Sequence, residues 1–265
     1  VDYIAVYCKE SKIAKLDPIC LPPLAEVIPY EYGGEVNKDT DIIVPIGMYD
    51  DPENQVQAEI KLNITKDNTF IIGSALTGKT NLLQTIIRGI TDRYGADEVS
   101  IYIIDFASMM LRNLAGLAYA GGVVTIRDEN MLKQLLAMMT TLVEDRQKEF
   151  ADMGLSSFSA YREAGYKEIK QVLIILENLA AFRATYEEYE DTLLDLCRDG
   201  LSLGISVIVT NPTAIAIGFK TLTNFGKKIS FFSNDSNQYT TLFDKCKLEP
   251  DDVPGRAIIN MVGQK

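Results

Sequence analysis

The chain has 265 residues, of which 47% are hydrophobic, enough for one large core or two small ones. Lys and Arg number 26 against 37 Asp and Glu, a formal net charge of −11, which makes it a poor general binder of nucleic acid or anionic membrane, since both rely on clustered cations. Histidine is absent, which removes a His-based triad, the commonest zinc ligand and the usual neutral-pH base.

Residues 1–16 read as a short helix, broken by Pro18, Pro22 and Pro23 in DPICLPPL. Residues 25–41 are acidic and loop-like. IIVPIGMY and QAEIKLNIT alternate as strands do, and the acidic turn DDPEN (50–54) between them predicts a hairpin. From residue 69 apolar runs alternate with helical segments. TFIIG, VSIYIIDF, QVLIILEN, ISVIVTN and KKISFF read as strands; GKTNLLQTIIRGITDRYG, DENMLKQLLAMMTTLVEDRQKEFADMG and EEYEDTLLDLCRDGLSLG read as helices. β-branched apolar runs alternating with helices predict an α/β fold with a mostly parallel central sheet covered on both faces. The expected organisation is an N-terminal helix, loop and strand segment over 1–54, packing on one core over 55–265.

Four scattered cysteines, Cys8, Cys20, Cys197 and Cys246, with no Cys-x-x-Cys pair, fit reduced thiols of a cytosolic protein. No apolar run approaches the roughly 20 residues that span a bilayer. The chain begins with Val, as expected of a piece cut from a longer protein, which leaves room for membrane segments outside it.

GSALTGKT, from Gly73 to Thr80, is a Gly-x-x-x-x-Gly-Lys-Thr loop between a strand and a helix. Glycines let successive N–H groups turn toward phosphate oxygens, and the following helix adds its positive end. The candidate nucleotide-binding residues are Gly73, Ser74, Ala75, Leu76, Thr77, Gly78, Lys79, Thr80 and Asn81. Lys79 is expected at the β- and γ-phosphates and Thr80 on Mg²⁺. Hydrolysis needs a strand-end acid as well, and two strands offer one: IYIIDF ends in Asp105, and VLIILEN ends in Glu177-Asn178 without an adjacent acidic pair. ISVIVTN ends in Asn211, which suits a contact to the γ-phosphate or the lytic water, or a simple Asn-Pro turn.

These pieces, in order, resemble the FtsK/SpoIIIE-like P-loop ATPases, and more narrowly the cytosolic ATPase domains of type VII (ESX) secretion membrane ATPases of the EssC/EccC kind. LPPL (21–24), VPIGMYDDPENQVQ (44–57), YIIDF, LAGLAYAGGVVTIRDE (114–129), RQKEFADMGLSSFSAYR (146–162) and DVPGRAIIN (252–260) carry the resemblance over nearly the whole chain. It implies a RecA-like P-loop NTPase core that takes ATP and Mg²⁺. It puts Glu177 where the metal-linked Asp is expected; the longer Glu side chain suits either a Mg²⁺ ligand or the catalytic base, but hardly both. It puts Asn178 where DNA-pumping relatives have a catalytic Glu, and Asn211 at the sensor-like position. It also implies that Asp105 belongs to the neighbouring strand.

The same comparison exposes departures: Leu76 and Thr77 inside the loop, Ala107-Ser108 in place of a Gly pair, Glu177 with no second acid, and Pro212 where relatives often carry Arg. The phosphate cradle is kept while hydrolytic groups are lost, so the expectation is a module that binds ATP with weak or absent turnover. An active ATPase module of the same motor and, less favoured, an FtsK-type DNA translocase are the alternatives; no acceptor signal marks a kinase. The resemblance also implies a cytoplasmic domain of a larger membrane-anchored protein, with neighbouring ATPase domains in the same chain and a hexamer-type assembly. Its partners would be secreted effectors carrying a C-terminal helical signal, with no nucleic acid. Arg127, Arg183, Arg198 and Arg256 are candidates to complete a neighbour's site, and the Met-rich helix 131–143 offers either adaptable apolar surface or ordinary core.

Overall fold

A computed structural model describes residues 2–13, 20–31, 41–214, 217–244, 246 and 248–260. The chain divides into two compact units, residues 1–30 with 47–60, and residues 31–46 with 61–265.

The first unit holds helix α1 (Asp2–Glu10) and the outer half of a hairpin formed by β1 (Ile43–Asp51) and β2 (Val56–Asn63). The expected helix over 1–16 is shorter, and residues 14–19 lie outside the described residues. Asp51 closes the hairpin turn by accepting from the Asn54 N–H at 3.1 Å and its amide at 2.7 Å. Gln55 and Gln57 tie down the LPPL segment, Gln55 Oε1 accepting from Leu21 N and Gln57 Nε2 donating to Pro22 O, each at 2.7 Å. Of the acidic 25–41 stretch, residues 32–40 lie outside the described residues.

The second unit is built on a seven-stranded sheet. In chain order its strands are β3 (Thr69–Ile72), β4 (Val99–Asp105), β5 (Ala120–Thr125), β6 (Gln171–Glu177), β7 (Ile205–Asn211), β8 (Lys227–Phe231) and β9 (Ala257–Ile259). Their spatial order is β5-β4-β6-β7-β3-β8-β9, parallel except for the β8–β9 pair. The helices are α2 (Lys79–Arg93), α3 (Glu129–Asp152), α4 (Phe158–Glu163), α5 (Leu179–Thr185), α6 (Glu190–Asp199), α7 (Phe219–Leu222) and α8 (Asn237–Phe243). This is the mostly parallel α/β sheet expected from the alternating pattern, in the RecA-like arrangement that the resemblance implies.

Why the central strands are apolar throughout follows from the two cores. On β6, Val172, Ile174 and Leu176 face one cluster while Leu173 and Ile175 face the other. With both faces covered, the side-chain alternation of a strand leaves no position for a solvated residue. One core holds α2, whose Leu82, Leu83, Ile86, Ile87 and Ile90 repeat at helical spacing, together with Ile42, Val44, Leu62 and Ile64 from the base of the hairpin. The other packs Leu132, Leu135, Leu136 and Met139 of α3 beside Phe182 and Leu193. On α3 the Leu face and Met139 are therefore core, while Met131 and Met138 stay 47% and 44% exposed.

Strands β5 and β9 escape the periodicity. AGGVVT carries two glycines where a strand signal needs side chains, and AII is only three residues long. The predicted helix over 187–204 is a short 3-10 turn (Glu187–Tyr189), α6 and another 3-10 turn (Leu201–Leu203). Among the described residues no helix is long and apolar enough to cross a membrane.

Candidate functional site

The six parallel strands β3 to β8 point their C-terminal ends to one edge of the sheet, and the loop after β3 sits there between the tips of β7 and β8. The loop needs its glycines. Gly73 has φ +152° and Gly78 +118°, both in the region L side chains avoid, and a Cβ on Gly73 would meet Phe231 Cβ at 2.7 Å and Thr77 Oγ1 at 2.8 Å. Leu76 also takes a positive φ, +62°, at the tip, and its side chain is 94% exposed. Inside the loop the Thr77 hydroxyl donates to Ser74 O at 2.9 Å, so Thr77 serves loop shape.

α2 begins at Lys79 with no side-chain cap and no acidic residue in its first turn, which leaves the positive end of the helix available to an anion. Lys79 Nζ donates to the carbonyls of Gly73 at 2.5 Å and Ser74 at 2.6 Å. Burial lowers its pKa, with Glu177 opposing that shift. A cation held on the loop's own carbonyls, beside an uncapped helix start, fits a polyphosphate. Asn81 is exposed on the first turn, its backbone carbonyl accepting from Thr85.

The tips of β4 and β6 are in register, Asp105 opposite Glu177, and the structure separates their roles. Asp105 is fully buried and spends its carboxylate on the following loop, accepting from the N–H groups of Ala107 at 3.2 Å, Met109 at 3.0 Å and Leu111 at 3.1 Å. Glu177 instead faces α2: Thr80 Oγ1 donates to its Oε1 and Ser108 Oγ to its Oε2 at 3.1 Å. Burial raises the Glu177 pKa and the Asp105 carboxyl adds to it, while the Thr80 and Ser108 hydroxyls pull it down. Thr80 and Glu177 together are a donor set for a hard divalent cation. Among the described residues no group of three His, Cys, Asp or Glu gathers into a metal cage.

Asn178 and Asn211 are occupied elsewhere. Asn178 adopts φ +77° and caps α5, accepting from Ala181 N at 3.1 Å. Asn211 is buried; its Oδ1 accepts from Ala180 N at 2.8 Å and its Nδ2 donates to Thr213 O at 2.6 Å. Both side chains brace the β6–α5 connection. A cleft of about 540 Å³ opens beside the loop, lined by Ser74, Ala75, Pro212, Thr213, Asn234 and Asp235 among others.

The model of the FtsK/SpoIIIE family matches residues 33–239. The chain belongs to the FtsK/SpoIIIE family. It is 28% identical over 262 residues, 98% of its own length, to the ESX secretion system protein EccC of Geobacillus thermodenitrificans. It spans only 17% of that relative's length. Among solved structures it is similar to EssC (ATPases 2 and 3) from Geobacillus thermodenitrificans, with TM-score 0.80 and 26% identity, covering 91% of this chain and 46% of that one. Thermomonospora curvata EccC (ATPases 2 and 3) in complex with a signal sequence peptide matches with TM-score 0.71 and 25% identity, over 81% of this chain and 40% of that one.

On this FtsK/SpoIIIE scaffold the candidate arginines are scattered. Arg198 lies at the end of α6, just before β7 begins, on the edge away from the loop, paired with Asp195 at 2.9 Å and Asp199 at 2.7 Å. Arg183 pairs with Glu190 and Arg256 with Asp251, each at 2.5 Å, and Arg127 is exposed after β5. Sequence reasoning missed Ser108, whose hydroxyl meets Glu177 across 69 residues. It also missed the backbone of Phe232 and Gly255, whose groups bond the loop directly. Departure from the family's Gly pair at Ala107-Ser108 was the available signal for Ser108; backbone contacts leave none.

Proposed function

We propose that this chain is an ATPase-type module of a type VII protein secretion motor that holds ATP with Mg²⁺, turns it over weakly or not at all, and helps to recognise a secreted effector's signal. The carrying observation is the split between a complete phosphate loop and strand tips whose amides and Asp105 serve the architecture. Gly73 to Asn81 would hold the phosphates, Lys79 would contact the β- and γ-phosphates, and Thr80 and Glu177 would hold Mg²⁺. Bound Mg²⁺ supplies charge neutralisation of the phosphate oxygens. The chain places no acid at 178 to activate water, and losing one transition-state group commonly lowers rates about 10²–10³-fold.

The wider setting rests on the relatives. ATPases 2 and 3 of EssC support neighbouring ATPase domains in one longer chain; a cytosolic position on a membrane-anchored protein and a hexamer-type assembly belong to the proposal through the family resemblance alone. The signal sequence peptide in complex with Thermomonospora curvata EccC supports an effector's signal as partner; its C-terminal place in the effector and its docking as a helix in a groove belong to the proposal. The net charge of −11 supports the absence of nucleic acid. In this reading residues 1–54 lead into the ATPase core over 55–265.

One observation favours the alternative of an active ATPase: Glu177 touches Thr80, where a metal-linked acid would sit. Calorimetric titration with ATP and Mg²⁺, run beside a phosphate-release assay, separates the two. We expect binding with turnover near background. Robust hydrolysis abolished by Glu177→Gln would establish the active module, and no binding at millimolar ATP would overturn the nucleotide reading itself. Tight, salt-sensitive binding of duplex DNA would favour a translocase.

A further inference from the structure

The turn over residues 251–256 carries no role so far, yet it touches the phosphate loop by backbone. Gly255 N donates to Thr77 O at 2.9 Å. The approach is close: a Cβ on Gly78 would meet Gly255 N at 3.2 Å and its Cα at 3.4 Å. The turn is itself built to hold that N–H in place. Arg256 N donates to Val253 O at 3.0 Å, Val253 N to Asp251 O at 2.7 Å, and the Arg256 guanidinium pairs with Asp251 at 2.5 Å. β9 follows at once and is locked to β8, Ala257 opposite Phe231. One residue beyond Phe231, Phe232 O accepts from Ser74 N at 2.8 Å. The loop is thus gripped at two peptides, one near each end, by the β8–β9 corner.

We propose that Gly255 is a positioning residue of the nucleotide site, its N–H fixing the Thr77–Gly78 peptide so that the Gly78 N–H faces the anion; this rests on the phosphate-binding reading above. The reason is peptide geometry. Across a planar trans peptide the C=O and the next N–H point in opposite directions. Holding the Thr77 carbonyl outward on Gly255 therefore aims the Gly78 N–H inward. A loop aligned before the ligand arrives does not lose the free energy of ordering it on binding. Gly255 has φ +91° with nothing within 4 Å of its Cβ direction. The position therefore has space for a side chain and lacks only the backbone freedom for one, so substitutions there act through the turn conformation rather than through a clash.

The test compares the 265-residue chain with Gly255→Val and Gly255→Asn, since Asn tolerates positive φ far better than a β-branched residue. Three quantities are measured: ATP·Mg²⁺ affinity, melting temperature without nucleotide, and amide hydrogen exchange of the 73–80 peptide without nucleotide, with 205–211 as an internal control. We expect Gly255→Val to weaken ATP about tenfold and to speed exchange across 73–80 by a similar factor, as for one lost hydrogen bond in a preformed site. Exchange in 205–211 should not move, and Gly255→Asn should recover most of both losses. Wild-type exchange in 73–80 for a natively folded Gly255→Val chain overturns the proposal. If that variant does not fold, Asp251→Ala, which frees the turn from outside the loop, takes its place with the same readouts. A wild-type chain that binds no ATP sinks the nucleotide reading, and the exchange comparison then decides the positioning role alone.

Discussion

The two halves of the strand-tip site use their polar atoms differently. In the Gly73–Thr80 loop, bonds from Thr77, Phe232 and Gly255 shape the backbone, while the start of α2 and the third N–H of Lys79, whose other two are held by the Gly73 and Ser74 carbonyls, remain for a ligand. At the tips of β4, β6 and β7, Asp105 supports three amides, Asn178 caps a helix and Asn211 bridges Ala180 to Thr213. Of these four side chains it is Glu177 that reaches across, to Thr80, while its other oxygen accepts from Ser108 beside it. A phosphate cradle is made of main-chain amides, which every residue but proline supplies, so it survives side-chain drift at Leu76 and Thr77. Hydrolysis needs particular side-chain atoms left free, and architecture competes for the same atoms.

Breaking that contrast starts with Asp105. Its replacement by Ala leaves the Leu111 N–H unpaired in the core and the part-buried Ala107 and Met109 N–H groups without their acceptor, a loss of about 3 kcal/mol that lowers the melting temperature by about 6–12 °C in a chain of this size. A melting curve left in place, with only turnover reduced, would move Asp105 into the catalytic half. Next is Lys79→Ala, which should leave the fold intact and weaken ATP about 30-fold, the scale of a charge-assisted hydrogen bond to phosphate; calorimetry reads it directly. An unchanged dissociation constant would mean that the loop does not work as a phosphate cradle.

Asn211→Ala sharpens the comparison. It should cost about 1–2 kcal/mol in chemical denaturation by leaving Ala180 N–H and Thr213 C=O unpaired, with no effect on turnover. The reverse pattern, full stability and lost turnover, would restore the sensor-like role. The smallest effect is expected from Leu76→Gly, which relaxes φ +62° and removes no contact in the core. It should raise stability by less than about 1 kcal/mol and leave ATP affinity where it was.

Much of this was readable in the chain. The long strands β4, β6 and β7 stood out because both faces are buried, so nearly every position is apolar. The loop stood out because glycines, Lys79 and Thr80 sit at fixed spacing. β5 and β9 did not, since a glycine pair and a three-residue strand carry too little pattern. Nor did the division of labour between Asp105 and Glu177. Both end an apolar run, and only the direction of each carboxylate, one into its own loop and one toward α2, tells them apart.

By itself, then, the sequence determined the sheet-and-helix order, the two-faced core and the phosphate loop, because each rests on local periodicity or on residues adjacent in the chain. Tertiary structure alone decided which acid meets Thr80, that both asparagines are consumed as braces, and that Phe232 and Gly255 grip the loop from 158 or more residues downstream. Those outcomes depend on strand register and on backbone groups, which are the same in every residue and so leave no mark in the sequence.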